Sequence, residues 1–243
     1  MTSIAGMLPK LIALFCVVLI LAREWSTGEL PRAFRAFLLA DKRPMLAALA
    51  FLSLFAALFS LADTVVLNAV RSTTLPVAPA LFSFGGTLGR HMHPWLAAGL
   101  CYLAGVLGKR GSLQDAGRGM IFSAALASTL AYALKFILLR ARPYADLGPF
   151  SFFNGAGLFQ DDRAFQSFPS GDVAVVSGMS FYLFCTAAPN PLRWALVLLP
   201  LATAFSRVSL NKHWPSDTLF ALGLGAVMAM AVWRSLKTRG ECR

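Results

Sequence analysis

An all-α bundle of membrane-spanning helices is the fold class that this sequence predicts, and three observations predict it. Of 243 residues, 57% are hydrophobic and only 14% are charged, whereas a soluble domain carries roughly 25% charged residues. The mean hydropathy is +0.65. The apolar residues are gathered into runs that approach the roughly 20 residues needed to cross a bilayer core. Six such runs can be read, at Met45–Ala62, Pro94–Gly108, Met120–Leu139, Val173–Ala188, Ala195–Phe205 and Asp217–Trp233. Several are short as bounded, so their helices are expected to continue into the flanking polar residues.

A further run, Ile4–Ala22, is apolar enough to span but contains Lys10 and ends at Arg23-Glu24. Counted as a seventh helix, it places the N-terminus on the outer side. A signal peptide is the weaker reading, because no small-x-small cleavage pattern follows. Between this run and Met45, the stretch Pro31–Ala40 sets Phe34, Phe37 and Leu38 on one helical face and Arg32 and Arg35 on another. It suits a helix lying in the interface or a plain amphipathic connector. The expected organisation is an N-terminal segment over 1–44, a six-helix domain over 45–235 and a basic tail over 236–243.

Twenty-two Lys and Arg against eleven Asp and Glu give a net charge of +11. These cations are scattered between apolar runs rather than set along one polar face, which argues against nucleic acid as a partner. Many follow the positive-inside bias. Lys42-Arg43, Lys109-Arg110 with Arg118, Arg193, and the tail with Arg234, Lys237, Arg239 and Arg243 occupy alternate connections, which marks those ends as cytoplasmic. The segments 63–93, 140–172 and 206–216 then face the other side. Cys16, Cys101 and Cys185 lie in apolar stretches and Cys242 in the tail, so no disulfide pattern or metal-ligand spacing appears. No metal or cofactor is expected.

Three polar strings interrupt the oily chain, all on the inferred outer face: Lys135 through Arg142-Pro143, Pro169-Ser170-Gly171-Asp172, and Ser206-Arg207 followed by His213 and Asp217. A Lys or Arg near a bilayer costs about 2.5–3.5 kcal/mol on insertion scales unless it snorkels or is paired. An anion is the natural partner for Lys135, Arg142 and Arg207. Arg holds two oxygens of a phosphoryl group in its planar fork, while Lys acts as a point charge. Ser170 and Gly171 precede an apolar helix, and a helix N-terminus favours anions. His213 and Asp217 are four residues apart, a spacing at which the carboxylate can orient one ring nitrogen and leave the other to attack. The intervening loop Tyr144–Phe168 carries Phe150, Phe152, Phe153, Phe159, Phe165 and Phe168. Those aromatics suit a guide for a lipid substrate or an anchor at headgroup level.

The order and spacing Lys135-x6-Arg142-Pro143, Pro169-Ser170-Gly171-x and Ser206-Arg207-x5-His213-x3-Asp217 resemble the three-part signature of the type 2 phosphatidic acid phosphatase superfamily, to which vanadium haloperoxidases also belong. The resemblance covers residues 45–235. It implies six core helices and a metal-independent site at the outer face of a membrane, with a lipid phosphate or diphosphate as substrate. Lys135, Arg142, Arg207, Ser170 and Gly171 are then phosphate ligands, His213 the nucleophile that becomes a phosphohistidine, and Asp217 its orienter. A bacterial inner membrane is the expected location. Polyprenyl diphosphate, lipid A and phosphatidylglycerol phosphate are candidate substrates. A lipid phosphotransferase of the same superfamily, and a non-catalytic lipid-phosphate binder or transporter, are the alternatives.

The second string departs from that signature, which ends in a histidine that protonates the leaving oxygen; Asp172 stands there instead. Three readings are open. Asp172 is itself the acid, protonated when bound phosphate offsets the nearby cations; His91 or His93 supplies the proton; or Asp172 caps the helix or pairs with a site arginine. General acid assistance is worth about 10²–10⁴ in rate. Its loss matters least for a good leaving group, which favours a diphosphate or a similarly activated phosphate.

Overall fold

The computed structural model describes residues 17–18, 20–28, 42–72, 93–152 and 163–237. Most of Ile4–Ala22, all of Pro31–Ala40, His91 and the middle of the aromatic loop lie outside these residues. Among the described residues the chain is helical, with one isolated antiparallel bridge between Arg140 and Phe152. Helix α1 (Arg43–Phe59) passes through a single 3₁₀ turn, Ser60–Ala62, into α2 (Asp63–Arg71). Then come α3 (His93–Leu107), α4 (Gly111–Leu138), α5 (Gly171–Thr186), α6 (Ala195–Ser209) and α7 (Pro215–Lys237). Residues 20–26 are also helical.

Among the described residues, three stretches are long and apolar enough to cross a membrane: Arg43–Arg71, Gly111–Leu138 and Pro215–Lys237. The helices α3, α5 and α6 are shorter and apolar. The first apolar run therefore extends past Ala62, and the helix expected from Met120 begins nine residues earlier, at Gly111. On α1 and α2 the side chains of Phe51, Leu54, Leu58, Leu61 and Val65 are exposed. In a soluble protein that face would be a liability; against lipid it is the ordinary solvent-facing surface.

Helix α5 packs between α4 and α7 at small residues. A Cβ added at Gly225 would fall 2.6 Å from the Gly178 backbone nitrogen and 2.5 Å from Ser177 Cβ, and Ser177 Oγ donates to the Leu222 carbonyl at 2.6 Å. Small residues let helix backbones approach where no hydrophobic effect drives them together. The α3–α4 hairpin uses the same device, since a Cβ at Gly117 would lie 2.5 Å from the Tyr102 amide nitrogen. Ile20 joins Tyr102, Ile121, Val175 and Tyr182 in the core cluster at that end of the bundle. Glu24, 1% exposed, is ion-paired with Arg118, whose Nε lies 2.8 Å from Oε2, and its Oε1 accepts from Arg118 Nη2 at 3.4 Å and from the Tyr102 hydroxyl. The residues just before Trp25 are thus docked on α3 and α4 by an ion pair that hydrogen bonding completes.

The end of α4 sets up the polar face. Leu139 adopts a left-handed conformation, φ +46°, and its amide donates to the Lys135 carbonyl at 3.1 Å. That closes the helix and turns Arg140, Ala141 and Arg142 back across the bundle. The ends of α4 and α6 and the starts of α5 and α7 then meet, linked by the Ser170 amide on the Asp217 carbonyl at 3.2 Å and the Ser167 amide on the Arg140 carbonyl at 3.0 Å.

At Gly117 the colliding atoms are the amide nitrogen, Cα and Cβ of Tyr102, none of which can swing aside. Gly117→Ala should therefore destabilise the protein by about 1–3 kcal/mol, an overpacking cost. A Cβ at Gly111 meets nothing within 4 Å, so Gly111→Ala serves as the control. Thermal unfolding in detergent should show a lowered midpoint for the first variant and an unchanged one for the second.

Candidate active site

The three polar strings converge at this face. Lys135, 6% exposed on the last turn of α4, donates from Nζ to the Gln166 carbonyl at 2.8 Å. Arg142 Nη2 reaches the same carbonyl at 3.3 Å, and the Arg142 amide donates to the Ala164 carbonyl at 2.7 Å. Lys135 also crosses the start of α5, its Cε 3.8 Å from where a Gly171 Cβ would sit. Ser170 is the residue before α5 and is fully buried. Arg207, 4% exposed near the end of α6, turns its side chain to Asp172 of α5, with Nε 3.1 Å from Oδ2.

Donors in this cluster outnumber acceptors. Arg142 Nε, Arg207 Nη2 and Ser170 Oγ are buried and have no hydrogen-bond partner among the described residues. The Arg207 Nε contact is close enough for an ion pair but not aligned as a hydrogen bond. Leaving a buried donor unmade costs about 1–3 kcal/mol, and more when it is charged. Three such groups beside Lys135 and the positive end of α5 are a set of donors that an anion with several oxygens could complete.

His213 sits in the turn between α6 and α7 and is 4% exposed. Its amide donates to the Arg207 carbonyl at 3.3 Å, so the third string is tied to itself at both ends of its spacing. Nδ1 lies 2.7 Å from the Ser167 carbonyl and 3.8 Å from Asp217 Oδ2. The sequence spacing led us to expect the carboxylate as the direct partner. A carbonyl takes that place, because Pro215 begins α7 only after His213 and the imidazole falls short of the helical face that carries Asp217. Both neighbours of Nδ1 are acceptors, so Nδ1 bears the proton and Nε2 keeps its lone pair. Burial pushes the imidazole down to about 4, against the pull of Asp217 and with the help of Lys135 and Arg142.

Asp217 itself is completely buried. Oδ1 accepts from Arg140 Nη1 at 2.6 Å, and Oδ2 accepts from Ser167 Oγ at 2.5 Å and the Trp214 amide at 2.9 Å. Arg140 also donates from Nη2 to Asp63 Oδ2 at 2.7 Å, from Nη1 to Ser216 Oγ at 2.8 Å and from Nε to the Pro149 carbonyl at 2.8 Å. Asp63 takes the Ser216 amide at 2.8 Å and hydroxyl at 2.6 Å. Trp214 Nε1 donates to the Ala141 carbonyl at 2.8 Å.

The structure thus brings together Lys135, Arg142, Ser170, Gly171, Asp172, Arg207, His213 and Asp217. His93 opens α3 and is exposed. Sequence reasoning missed Asp63, Arg140, Ser167, Trp214 and Ser216. A signal existed for two of them: Asp63 is a carboxylate directly after the first apolar run, and Arg140 is a second arginine inside the first string.

Comparison with known proteins points the same way. A family model described as the PAP2 superfamily matches residues 116–241. Among curated proteins, a lipid A 1-phosphatase of Rhizobium johnstonii is 35% identical over 124 residues, 50% of this chain and 46% of its own length. One from Rhizobium etli is 35% identical over 121 residues, 49% of this chain and 45% of that protein. The chain spans about half the length of these curated relatives. Among solved structures, the crystal structure of Aquifex aeolicus LpxE shares the fold with a TM-score of 0.53 and 18% identity, over 72% of this chain and 94% of that one.

A buried neutral histidine titrates late. With the midpoint pushed down from the ordinary 6.5 to about 4, His213 should remain uncharged as pH falls through 6 and 5. The side-chain ¹⁵N resonances of selectively labelled protein, followed from pH 8 downward, should show the Nδ1–H tautomer. A midpoint at 6.5 would contradict the geometry.

Proposed function

The chain belongs to the PAP2 superfamily, and from that premise we propose that it is an integral membrane lipid phosphatase acting on a lipid phosphate or diphosphate through His213. The observation that carries the reading is a buried imidazole whose Nδ1 is held by Ser167, beside a cluster of unpartnered phosphate-type donors. Nε2 attacks phosphorus in line with the leaving oxygen, and the Nε2–P bond forms as the P–O bond to the lipid breaks. Water then hydrolyses the phosphohistidine. Lys135, Arg142, Arg207, Ser170 and the Gly171 amide neutralise the equatorial oxygens, which is the main task in phosphoryl transfer. Asp217 stabilises the charge that His213 gains.

The proposed topology is six core helices, with α1 and α2 forming one of them, preceded by an N-terminal apolar helix. Lys109 and Arg110, Arg193, and Arg234 and Lys237 lie at the helix ends away from the site, which supports a cytoplasmic location for those ends. The active site then opens on the periplasmic face of a bacterial inner membrane.

Asp172 narrows the substrate. Its carboxylate is committed to Arg207, which favours the third reading of this position, a partner for a site arginine. With the second string offering no imidazole, the leaving oxygen must depart with little help. A phosphate on the anomeric carbon of a sugar, or the terminal phosphate of a diphosphate, meets that demand better than a phosphate on a simple alcohol. The relatives named lipid A 1-phosphatase make a lipid A phosphate the first substrate to assay.

Purified protein incubated with lipid A, polyprenyl diphosphate and phosphatidylglycerol phosphate should release phosphate from at least one. His213→Ala should reduce the release to background. Equal activity of wild type and His213→Ala would remove the mechanism. Because kcat/KM reports the free enzyme, its acidic limb should lie well below pH 6.5, falling toward about 4 as His213 takes up a proton.

Asp172→His tests the leaving-group reading separately. It should raise turnover of a lipid alkyl phosphate by about 10²-fold or more, the worth of a general acid, and change diphosphate turnover much less. A variant that loses activity on every substrate would identify Asp172 as the acid.

A further inference from the structure

Arg140 lies inside the string that supplies the phosphate clamp, yet its hydrogen bonds turn away from it. Four of its N–H donations go to Asp217, Asp63, Ser216 and the Pro149 carbonyl, and the guanidinium is 4% exposed. A guanidinium has five such donors in all. Little is left for a substrate. Asp63 is equally committed: it is fully buried, begins α2 within the 29-residue apolar stretch Arg43–Arg71, and accepts three hydrogen bonds from Arg140 and Ser216. An isolated carboxylate so completely buried would be expensive, so the pairing is what makes it tolerable there.

We propose that Asp63 and Arg140 are positioning residues for the nucleophile, an ion bridge from the first core helix that fixes the Asp217 carboxylate beneath His213. The physical argument is one of competing geometry. Asp217 Oδ2 is shared by Ser167 Oγ and the Trp214 amide, and Ser167 is the same residue whose carbonyl holds His213 Nδ1. The orientation of the imidazole therefore depends on where Asp217 and Ser167 stand. Asp217 is located by Arg140 through Oδ1, and Arg140 in turn by Asp63. Trp214, next to His213, lies with its ring 5.8 Å from the Arg140 guanidinium carbon, so the turn carrying the nucleophile rests on the same bridge. Charge is balanced to match: one guanidinium between two carboxylates leaves a net negative group below the imidazole, which is where a cationic phosphohistidine needs it.

This inference rests on His213 being the nucleophile, so its test has one arm that needs no turnover. The charged groups facing His213 are Asp217 on α7, Lys135 on α4 and Arg142 in the loop after it. Arg140→Gln leaves Asp217 uncompensated, and the ¹⁵N titration midpoint of His213 in the full chain should rise by about one pH unit, the usual scale of a nearby charge change. Asp63→Asn keeps the shape and removes the partner that locates Arg140. It should shift the His213 Nδ1 resonances at pH 7 and lower kcat about tenfold, while KM and inhibition by inorganic phosphate stay at wild-type values. A role only in holding the fold would instead worsen KM and phosphate affinity together with kcat, or leave His213 unmoved, and either result overturns the proposal. If Arg140→Gln does not fold, Asp63→Asn decides alone. If wild type cleaves no lipid phosphate, the phosphatase reading fails while the resonances of His213 still decide this one.

Discussion

One guanidinium holds this site together. Arg140 joins the end of α4 to the start of α7 and to the junction of α1 and α2 by bonds of 2.6–2.8 Å between groups that are all buried. Buried ion pairs give little net stability, because desolvation consumes the Coulombic gain, but breaking one partner away is costly. The consequence is a constraint rather than a reservoir of energy: the helices cannot slide relative to one another without uncovering a charge. Helix packing at Gly117 and Gly225 brings the backbones close, and the bridge fixes their ends where the chemistry needs them.

The proposed phosphate clamp and this bridge divide the polar residues into two layers of opposite character. In one, Asp63, Arg140, Ser216, Asp217 and Ser167 satisfy one another almost completely. In the other, Arg142 Nε, Arg207 Nη2 and Ser170 Oγ are left without partners. Networks that are fully satisfied rigidify, whereas unsatisfied donors are retained where a ligand completes them. His213 lies at the boundary, with Nδ1 tied to the carbonyl of Ser167 and Nε2 outside that tie. The imidazole is thereby held in place, with Nε2 left for the attack proposed above.

Much of this was legible in the chain. Apolar runs broken by three polar strings indicated the helical class and the residues that the structure gathers at one end of the bundle, because charge in lipid is rare enough to stand out. Charge bias in the connections put the strings on one face, and the ends of α4, α5, α6 and α7 do meet. The bridge was not legible for a physical reason. Asp63 contacts residues 77 and 153 positions away, and no local period or spacing encodes such a pairing. Helix bounds suffered differently. Polar residues such as Gln114 and Arg118 made α4 look shorter than it is, whereas they sit in its first turns, Arg118 buried against Glu24. The partner of His213 was misjudged because a four-residue spacing implies one helical face only when both residues are in the helix, and Pro215 starts α7 between them.

The pairing of Asp172 with Arg207 alters the electrostatics of the clamp as well as its acid chemistry. Lys135, Arg142 and Arg207 alone would present three positive charges; the carboxylate offsets one of them. A phosphoryl group carrying two negative charges is then matched by a near-equal positive field rather than overmatched. Overmatching stabilises bound phosphate as much as the transition state and slows product release, since uniform binding does not accelerate the chemical step. An imidazole at position 172 would trade this charge balance for proton donation. Which exchange is favourable depends on the leaving oxygen: a group that departs as a stable anion gains from easy release and needs no proton. Under the proposed function, the ion pair and a preference for an activated phosphate would be one property, set by a single carboxylate at the start of α5.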